Sequence, residues 1–230
     1  MPGYILHLLH GKFYLEQYCA DFSEIEKKQF TMGILMPDSN KELKIGNDNS
    51  HYYDEEQNDQ ILQYPDLKRF PYYNLIDTPY VLGYLAHLYL DRCFFSDYFQ
   101  RYVQFLDVNN RKTLKETEIE RVLIVKSKQY ISVAELFSEQ FLYGDYTMLN
   151  KFIVDKYKIS QVDSVPVLNP IQEVNLDNFE AVRRSLKRYL AESTGQIDTH
   201  VFPIDTLEAE IERYAYGFGQ WVDGVMTGLR

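Results

Sequence analysis

Residues 78–105 read TPYVLGYLAHLYLDRCFFSDYFQRYVQF, a segment with few polar interruptions. Proline suits the first position of a helix, and Thr78 before it is a residue type that can cap one. The sequence therefore predicts a helix from Tyr80 to about Phe105, and its apolar character places that helix across the core.

Two polar residues of this helix, His87 and Asp91, are four residues apart in the sequence HLYLD. On a helix this spacing puts both side chains on one face, so they could ligate one ion together. Their neighbours are leucines and aromatic residues, and a buried carboxylate needs a compensating charge. The alternative is that the two side chains bond to each other or to core tyrosines, and the spacing alone does not decide between these readings.

Further helices are predicted on both sides of this one from apolar spacing, proline positions and two capping patterns, Ser23 three residues before Glu26 and Thr113 three residues before Glu116. They cover 3–18, 24–36, 113–130, 133–141, 145–158, 176–192 and 203–225. The segment 40–60 is polar and is predicted to be a surface excursion, and 160–175 is predicted to be a connector. No pattern indicates a β-hairpin, so the predicted fold class is all-α, a helical bundle.

The composition favours a globular protein without disulfide support. The chain has 230 residues, 45% of them hydrophobic, which fits one large domain or two small ones, and one domain over 1–230 is the default. A net charge of −10 makes duplex nucleic acid a poor partner. Two cysteines without CxxC spacing indicate a reducing compartment, and the absence of a signal or membrane-spanning pattern predicts a cytoplasmic protein without integral membrane association.

Four pieces of the first half occur in an order that resembles a known family. They are MPGYILHLLHG with His7, MGILMPD ending at Asp38, SHYY with His51, and LGYLAHLYLD with His87 and Asp91. This order and spacing resemble the zinc-dependent phospholipase C family, which is similar in fold to the fungal single-strand nucleases. The resemblance covers about residues 1–105 and implies the same helical fold.

The resemblance implies a metal site and a reaction. Asp38, His51, His87 and Asp91 would form one metal sphere suited to zinc or another divalent transition metal, and His7 would approach a neighbouring ion bridged by Asp91. One or two ions are expected. The implied activity is a zinc-dependent, phospholipase C-like hydrolysis of a phosphoester, either a phospholipid or a small phosphodiester. Metal-activated water is the nucleophile, and Asp38 orients or deprotonates it.

The sequence departs from the family pattern at three later ligand positions. Asp97 stands where the family has a histidine, and Glu135 and Glu139 are the nearest helical substitutes for a missing HxxxE pair. Together they could form a second, all-oxygen site for magnesium, manganese or calcium. The alternative is that both glutamates are solvated and Asp97 caps a turn.

Two functions therefore remain open, a metal-dependent phosphoesterase and a non-catalytic helical protein with one structural metal. An open coordination position distinguishes them, because a catalytic ion needs room for water whereas a structural site is closed by protein. The remaining histidines are expected outside the site, His10 as an exposed or incidental residue and His200 in a loop. Residues 110–230 contain no motif that bears on function.

Overall fold

The computed structural model describes residues 3–42, 48–191 and 198–228, and most of these residues lie in helices. The α-helices are α1 (Tyr4–Tyr18), α2 (Glu24–Leu35), α3 (Ser39–Glu42), α4 (Asp48–His51), α5 (Pro79–Cys93), α6 (Phe99–Tyr102), α7 (Val133–Leu136), α8 (Leu142–Tyr157), α9 (Phe179–Ala191) and α10 (Ile204–Gly228). Single turns of 3-10 helix lie at Met36–Asp38, Glu55–Gln57, Leu67–Arg69, Tyr73–Leu75, Glu116–Glu118 and Leu176–Asn178. A π-helical turn at Phe94–Tyr98 joins α5 to α6.

Most of the predicted helices are confirmed, with ends that differ by a few residues. Ser23 caps α2 as predicted, through a reciprocal capping box with Glu26. The long helix that follows Thr78 continues through the π-helical turn as far as Tyr102. Residue 192 and residues 43–47, which belong to a predicted helix and to the predicted polar excursion, lie outside the described residues.

The all-α prediction is corrected by a small antiparallel sheet of three strands in the order β1–β2–β3. The strands are β1 (Val103–Leu106), β2 (Arg121–Ile124) and β3 (Gln129–Ile131). Val103 pairs with Ile124, and Val122 pairs with Ile131. The predicted helix over 113–130 is therefore wrong. Of the predicted helix over 133–141, only α7 (Val133–Leu136) is helical.

Helices α2 and α5 pack on each other more extensively than any other pair of described elements. Glycines make this approach possible. A Cβ atom on Gly33 would stand 2.1 Å from the carbonyl oxygen of Tyr80, and one on Gly83 would stand 2.0 Å from that of Phe30. The backbones are thus in direct contact where the two helices cross.

The buried apolar residues form a contiguous core from Tyr4 to Val222. Both the helices of the first half and α8, α9 and α10 contribute to it. Among the described residues, we find no helix with the length and apolar character that a membrane span requires.

Candidate metal centre

Five predicted ligands converge inside the core, although they come from four elements. His7 lies on α1, Asp38 ends the 3-10 turn after α2, His51 ends α4, and His87 and Asp91 lie one turn apart on α5. Asp38 is 3% exposed and the other four are fully buried. We call these five residues the metal centre.

The hydrogen bonds of His87 determine its tautomer. Its Nδ1 lies 2.9 Å from the carbonyl oxygen of Ile34, which can only accept, so Nδ1 carries the proton and donates it. In a neutral imidazole the other ring nitrogen then has a free lone pair. Nε2 of His87 therefore presents an acceptor to the centre.

The same reasoning applies to His51 through its neighbour Ser50. The Ser50 hydroxyl donates to the carbonyl oxygen of Pro37 at 3.0 Å, so its oxygen is an acceptor for Nδ1–H of His51 at 3.1 Å. Nε2 of His51 then also carries a lone pair. The carbonyl oxygen of Ser50 in turn accepts the Tyr84 hydroxyl at 2.6 Å, which fixes this residue against α5.

Two nitrogen lone pairs and two carboxylates therefore lie close together around Nε2 of His51. Nε2 of His51 lies 3.2 Å from Nε2 of His87, 3.6 Å from Oδ1 of Asp38 and 3.5 Å from Oδ2 of Asp91. Nε2 of His87 also lies 3.5 Å from Oδ2 of Asp91. A single proton between the two nitrogens would leave charge on the carboxylates, whereas a dication balances both carboxylates.

These separations fit a metal ion. With metal–nitrogen distances of about 2.0–2.1 Å, the ligand atoms of a tetrahedral zinc site lie about 3.3 Å apart. Nε2 of His51 lies at 3.2 to 3.6 Å from its three neighbours in this set, and Nε2 of His87 lies at 3.5 Å from Asp91. Asp38, His51 and His87 form one group that could hold an ion, and His7, His87 and Asp91 form another.

His7 lies on the other side of Asp91. Its Nε2 is 3.2 Å from Oδ1 of Asp91, although neither atom makes a hydrogen bond of good geometry with another described residue. Its ring stacks on that of His87, with centroids 3.7 Å apart and planes inclined by 3°. Asp91 therefore directs one oxygen to His51 and His87 and the other to His7.

The electrostatics reflect this crowding. Burial, followed by the charge of His87, lowers the pKa of His7. Burial is the largest single cause at His87 as well and opposes its charge, but the charge and hydrogen bond of Asp91, together with the charge of Asp38 and the bond to Ile34, outweigh burial and raise the pKa of His87. Burial likewise disfavours the Asp91 carboxylate, yet His87 and His7 hold its pKa well below the usual range. Asp91 is therefore ionised and needs a positive charge beside it, which a proton on His87 supplies when no metal is bound and a metal ion supplies in place of that proton.

The structure does not assemble the predicted second site of Asp97, Glu135 and Glu139. Oδ2 of Asp97 binds Arg101, Arg213 and the Tyr214 hydroxyl. Glu135 is exposed and completes a capping box with Ser132 at the start of α7. Because α7 ends at Leu136, Glu139 lies beyond it in an exposed turn and does not share a helical face with Glu135.

The predictions for the two remaining histidines, His10 and His200, differ in outcome. His200 lies in the exposed loop before α10, as predicted. His10 is wrongly predicted as exposed, because it is fully buried one turn after His7. Its environment lowers its pKa to about 3, chiefly through burial and then through the charge of His7. His10 is therefore a neutral core residue.

Some contributors to the centre carry no signal in the sequence. Ile34 acts through its backbone carbonyl, which any residue would supply. Ser50 precedes His51 in SHYY and could have been suspected as its orienting partner, because metal-binding histidines commonly donate their second nitrogen. Outside the centre, Tyr146 and Asn150 of α8 also have buried polar atoms without a hydrogen-bond partner among the described residues.

Comparison of the chain with protein-family models, curated proteins and solved structures finds no match in any of the three.

Proposed function

We propose that this protein holds one divalent transition-metal ion, zinc by preference, with Asp38, His51, His87 and Asp91. The observation that carries the proposal is that Nε2 of His51 lies 3.2 to 3.6 Å from Nε2 of His87 and from one oxygen each of Asp38 and Asp91. Two nitrogen and two oxygen donors form a set that zinc accepts readily.

The burial of the centre supports a structural role for this ion. Four protein donors complete a tetrahedral sphere, and a structural zinc site is closed in this way. The side chains of His51, His87 and Asp91 are at most 1% exposed. Bound there, the ion links α4 and α5 to the end of α2, and its binding energy adds to the stability of the fold.

The second candidate function is hydrolysis of a phosphoester, and one observation favours it. His7 and Oδ1 of Asp91 face each other outside the four-donor set, and a second ion held there would have few protein ligands. Such an open ion supplies Lewis acidity and lowers the pKa of bound water. Asp38 stays the candidate base, because its side chain, 4% exposed, is the most accessible in the centre.

Elemental analysis of the purified protein tests the first proposal. We expect about one zinc or similar ion per chain, and its loss in His87→Ala, because the remaining donors no longer complete the sphere. His200→Ala is the control, since this histidine lies outside the centre. The proposal is wrong if the wild type contains no stoichiometric metal, even after incubation with zinc or manganese.

The second candidate is tested with bis-nitrophenyl phosphate and phosphatidylcholine, using protein of known metal content. Hydrolysis should fall in Asp38→Asn by more than the loss of metal explains. If metal-loaded protein leaves both substrates intact, the second candidate is wrong and the ion has a structural role only.

A further inference from the structure

A cavity of about 760 Å³ opens between two segments that the sequence predicts to be a polar excursion and a connector, 40–60 and 160–175. Its lining includes Asn40, Asn49, Tyr52, Tyr53, Glu173 and Asn178. We call it the Tyr52 pocket. Its volume lies within the range of small-molecule sites, about 300–1,000 Å³. Among the described residues, none that lines it belongs to the metal centre.

The hydroxyl of Tyr52 is a buried polar group of this pocket that lacks a partner. Tyr52 is 9% exposed, and its hydroxyl oxygen makes no hydrogen bond of good geometry to a described residue. Burial raises the pKa of Tyr52, and the nearby Glu173 raises it further, although the carboxylate does not accept the phenol proton in a well-formed bond. Buried hydroxyls are costly to leave unpaired, so most are satisfied in native proteins. An oxygen atom of a bound ligand would satisfy this one.

The backbone of Tyr52 has a conformation that is rare for an aromatic residue. Its φ of 53° lies in the left-handed region. The surrounding structure fixes it there, because the Tyr52 carbonyl oxygen accepts from the backbone of Asp66 at 3.0 Å and the Tyr52 ring packs edge-on against Phe70. Strained residues of this kind cluster at ligand sites. The hydroxyl is therefore held in position before a ligand arrives.

The charges that line the pocket are balanced and already have partners. Among its described lining residues, Arg69 and Glu173 carry one charge of each sign. Arg69 pairs with Glu55 at 3.3 Å, and Oε2 of Glu173 accepts the Tyr72 hydroxyl at 2.9 Å. Neither sign of charge is in excess, so the pocket favours a neutral ligand over an ion.

Side-chain amides supply much of the remaining polar lining. The side chains of Asn49, Gln172 and Asn178 make no hydrogen bond to a described residue. Each amide offers two donors and one acceptor oxygen, and the Glu173 carboxylate has acceptor capacity beyond its bond to a phenol. A ligand hydroxyl both donates and accepts, so it matches either end of an amide. The half-buried ring of Tyr53 adds an apolar surface beside them.

We propose that the Tyr52 pocket binds a neutral saccharide. The Tyr52 hydroxyl donates to a sugar oxygen, and Glu173 and Asn178 accept from sugar hydroxyls. A sugar combines the two features that the lining requires, hydroxyl groups in several directions and a carbon frame that can pack on an aromatic ring. The site goes beyond the proposed function, because it assigns a second ligand class to residues outside the metal centre.

Calorimetric titration of the full chain tests this assignment. The probes are maltotriose, mannotriose and chitotriose, which present glucose, mannose and N-acetylglucosamine, and inorganic phosphate and choline represent ions of either sign. We expect at least one trisaccharide to bind and neither ion to compete with it. Tyr52→Phe removes only the hydroxyl and should weaken binding about tenfold, as the loss of one hydrogen bond does.

Tyr80→Phe is the matched control for this variant. The hydroxyl of Tyr80 is also buried without a partner among the described residues, but Tyr80 does not line the pocket. This variant should bind sugar as the wild type does. Without ligand, both variants should be at least as stable as the wild type, because each removes an unpaired buried hydroxyl. Weaker binding in Tyr52→Phe with stability retained therefore reports the hydroxyl itself.

Two further variants test the accepting side of the pocket. Glu173→Gln keeps the shape and removes the charge, and it should weaken binding severalfold, because hydrogen bonds to a carboxylate are about twice as strong as those to a neutral group. Asn178→Ala should weaken binding as well, since it removes an acceptor. Asn109→Ala, in the exposed turn after β1, is its control and should leave binding unchanged.

Several results would overturn the saccharide site. One is a protein that binds none of the three trisaccharides, and another is a Tyr52→Phe variant that binds sugar as tightly as the wild type. Displacement of the sugar by phosphate or choline would show that the pocket selects an ion instead. Metal content measured on the same samples keeps this result separate from that for the metal site, so failure of either proposal leaves the other standing.

Discussion

Asp91 connects the two halves of the metal centre, because its two oxygens face different histidines. Oδ2 is 3.5 Å from both His51 and His87, whereas Oδ1 is 3.2 Å from His7. A shorter side chain, or one with a single oxygen, could not present an acceptor in both directions. Ser50 and the carbonyl of Ile34 complete the arrangement, because each accepts the Nδ1–H of one histidine and so places the Nε2 lone pair of that ring toward the centre.

His10 provides a test of the acid stability of the core. Its pKa is about 3 in the folded state and 6.5 when unfolded, so the unfolded chain binds the extra proton first. The stabilisation that comes from burying His10 in its neutral form is fully present above pH 6.5 and is lost as the pH falls toward 3. We expect His10→Leu to reduce the acid slope of the unfolding free energy by up to about 1.4 kcal/mol per pH unit.

The measurement is urea unfolding between pH 7 and 4 with a chelator present, so that metal loss affects neither protein. Leucine is apolar and does not titrate, which isolates the proton on His10. Parallel pH profiles for the wild type and His10→Leu would show that His10 takes up a proton within the folded state.

At the scale of elements, the sequence indicated the helices that have strong local signals. Thr78-Pro79 begins α5, and the Ser23 capping box begins α2, because both patterns act through neighbouring residues. The Thr113–Glu116 pattern misled, since the Thr113 hydroxyl accepts from the backbone of Lys115 and donates to Glu118 in a local turn.

The sheet was missed because its turns carry no strong hairpin signal. Lys128, between β2 and β3, adopts a φ of 57°, a conformation for which glycine or asparagine is the usual sign. Asn110, between β1 and β2, has a φ of 63°, and asparagine at such a position is a turn signal that the sequence does show.

The candidate site residues divide in the same way, into those that a sequence pattern can indicate and those whose surroundings depend on packing. The five residues His7, Asp38, His51, His87 and Asp91 were predicted from a resemblance to a known family in order and spacing, whereas the separate surroundings of Asp97 and Glu135 depend on tertiary packing.

The crossing of α2 and α5 gives a prediction for stability and metal binding together. Gly83→Ala places a Cβ against the carbonyl oxygen of Phe30, so the helices must separate. We expect a loss of about 1–3 kcal/mol or more. Metal affinity should fall too, because the bond from His87 to the Ile34 carbonyl spans the same two helices.

Gly224→Ala on α10 is the matched control, because no atom lies within 4 Å of its added Cβ. It should stabilise the protein by about 0.5–1 kcal/mol through lower backbone entropy in the unfolded chain. Scanning calorimetry and zinc titration give both readouts. Equal stability of Gly83→Ala and Gly224→Ala would show that the backbones do not meet at this crossing.

At the scale of the whole molecule, the centre connects parts of the chain that are distant in sequence. Its five candidate ligands span positions 7 to 91, and they bring α1, α4 and α5 together with the turn after α2. Without an ion, the core contains carboxylates and lone pairs whose compensation depends on protons. Metal binding should therefore stabilise the folded chain as a unit, since the unfolded chain does not hold these donors together.

Removal of the metal tests this connection quantitatively. A ligand that binds only the folded state at about 1,000 times its dissociation constant adds about 4 kcal/mol of stability. In a chain of this size, about 1 kcal/mol corresponds to 2–4 °C in Tm. We therefore expect chelation to lower Tm by about 8–16 °C and re-addition of zinc to restore it. In His51→Ala, which lacks one donor of the four-residue set, Tm should be low from the start and should respond little to chelator or zinc. A wild-type Tm that does not change on chelation, in protein whose metal is shown to have been removed, would mean that protons compensate the centre as well as an ion does, and the ion would then have no structural role.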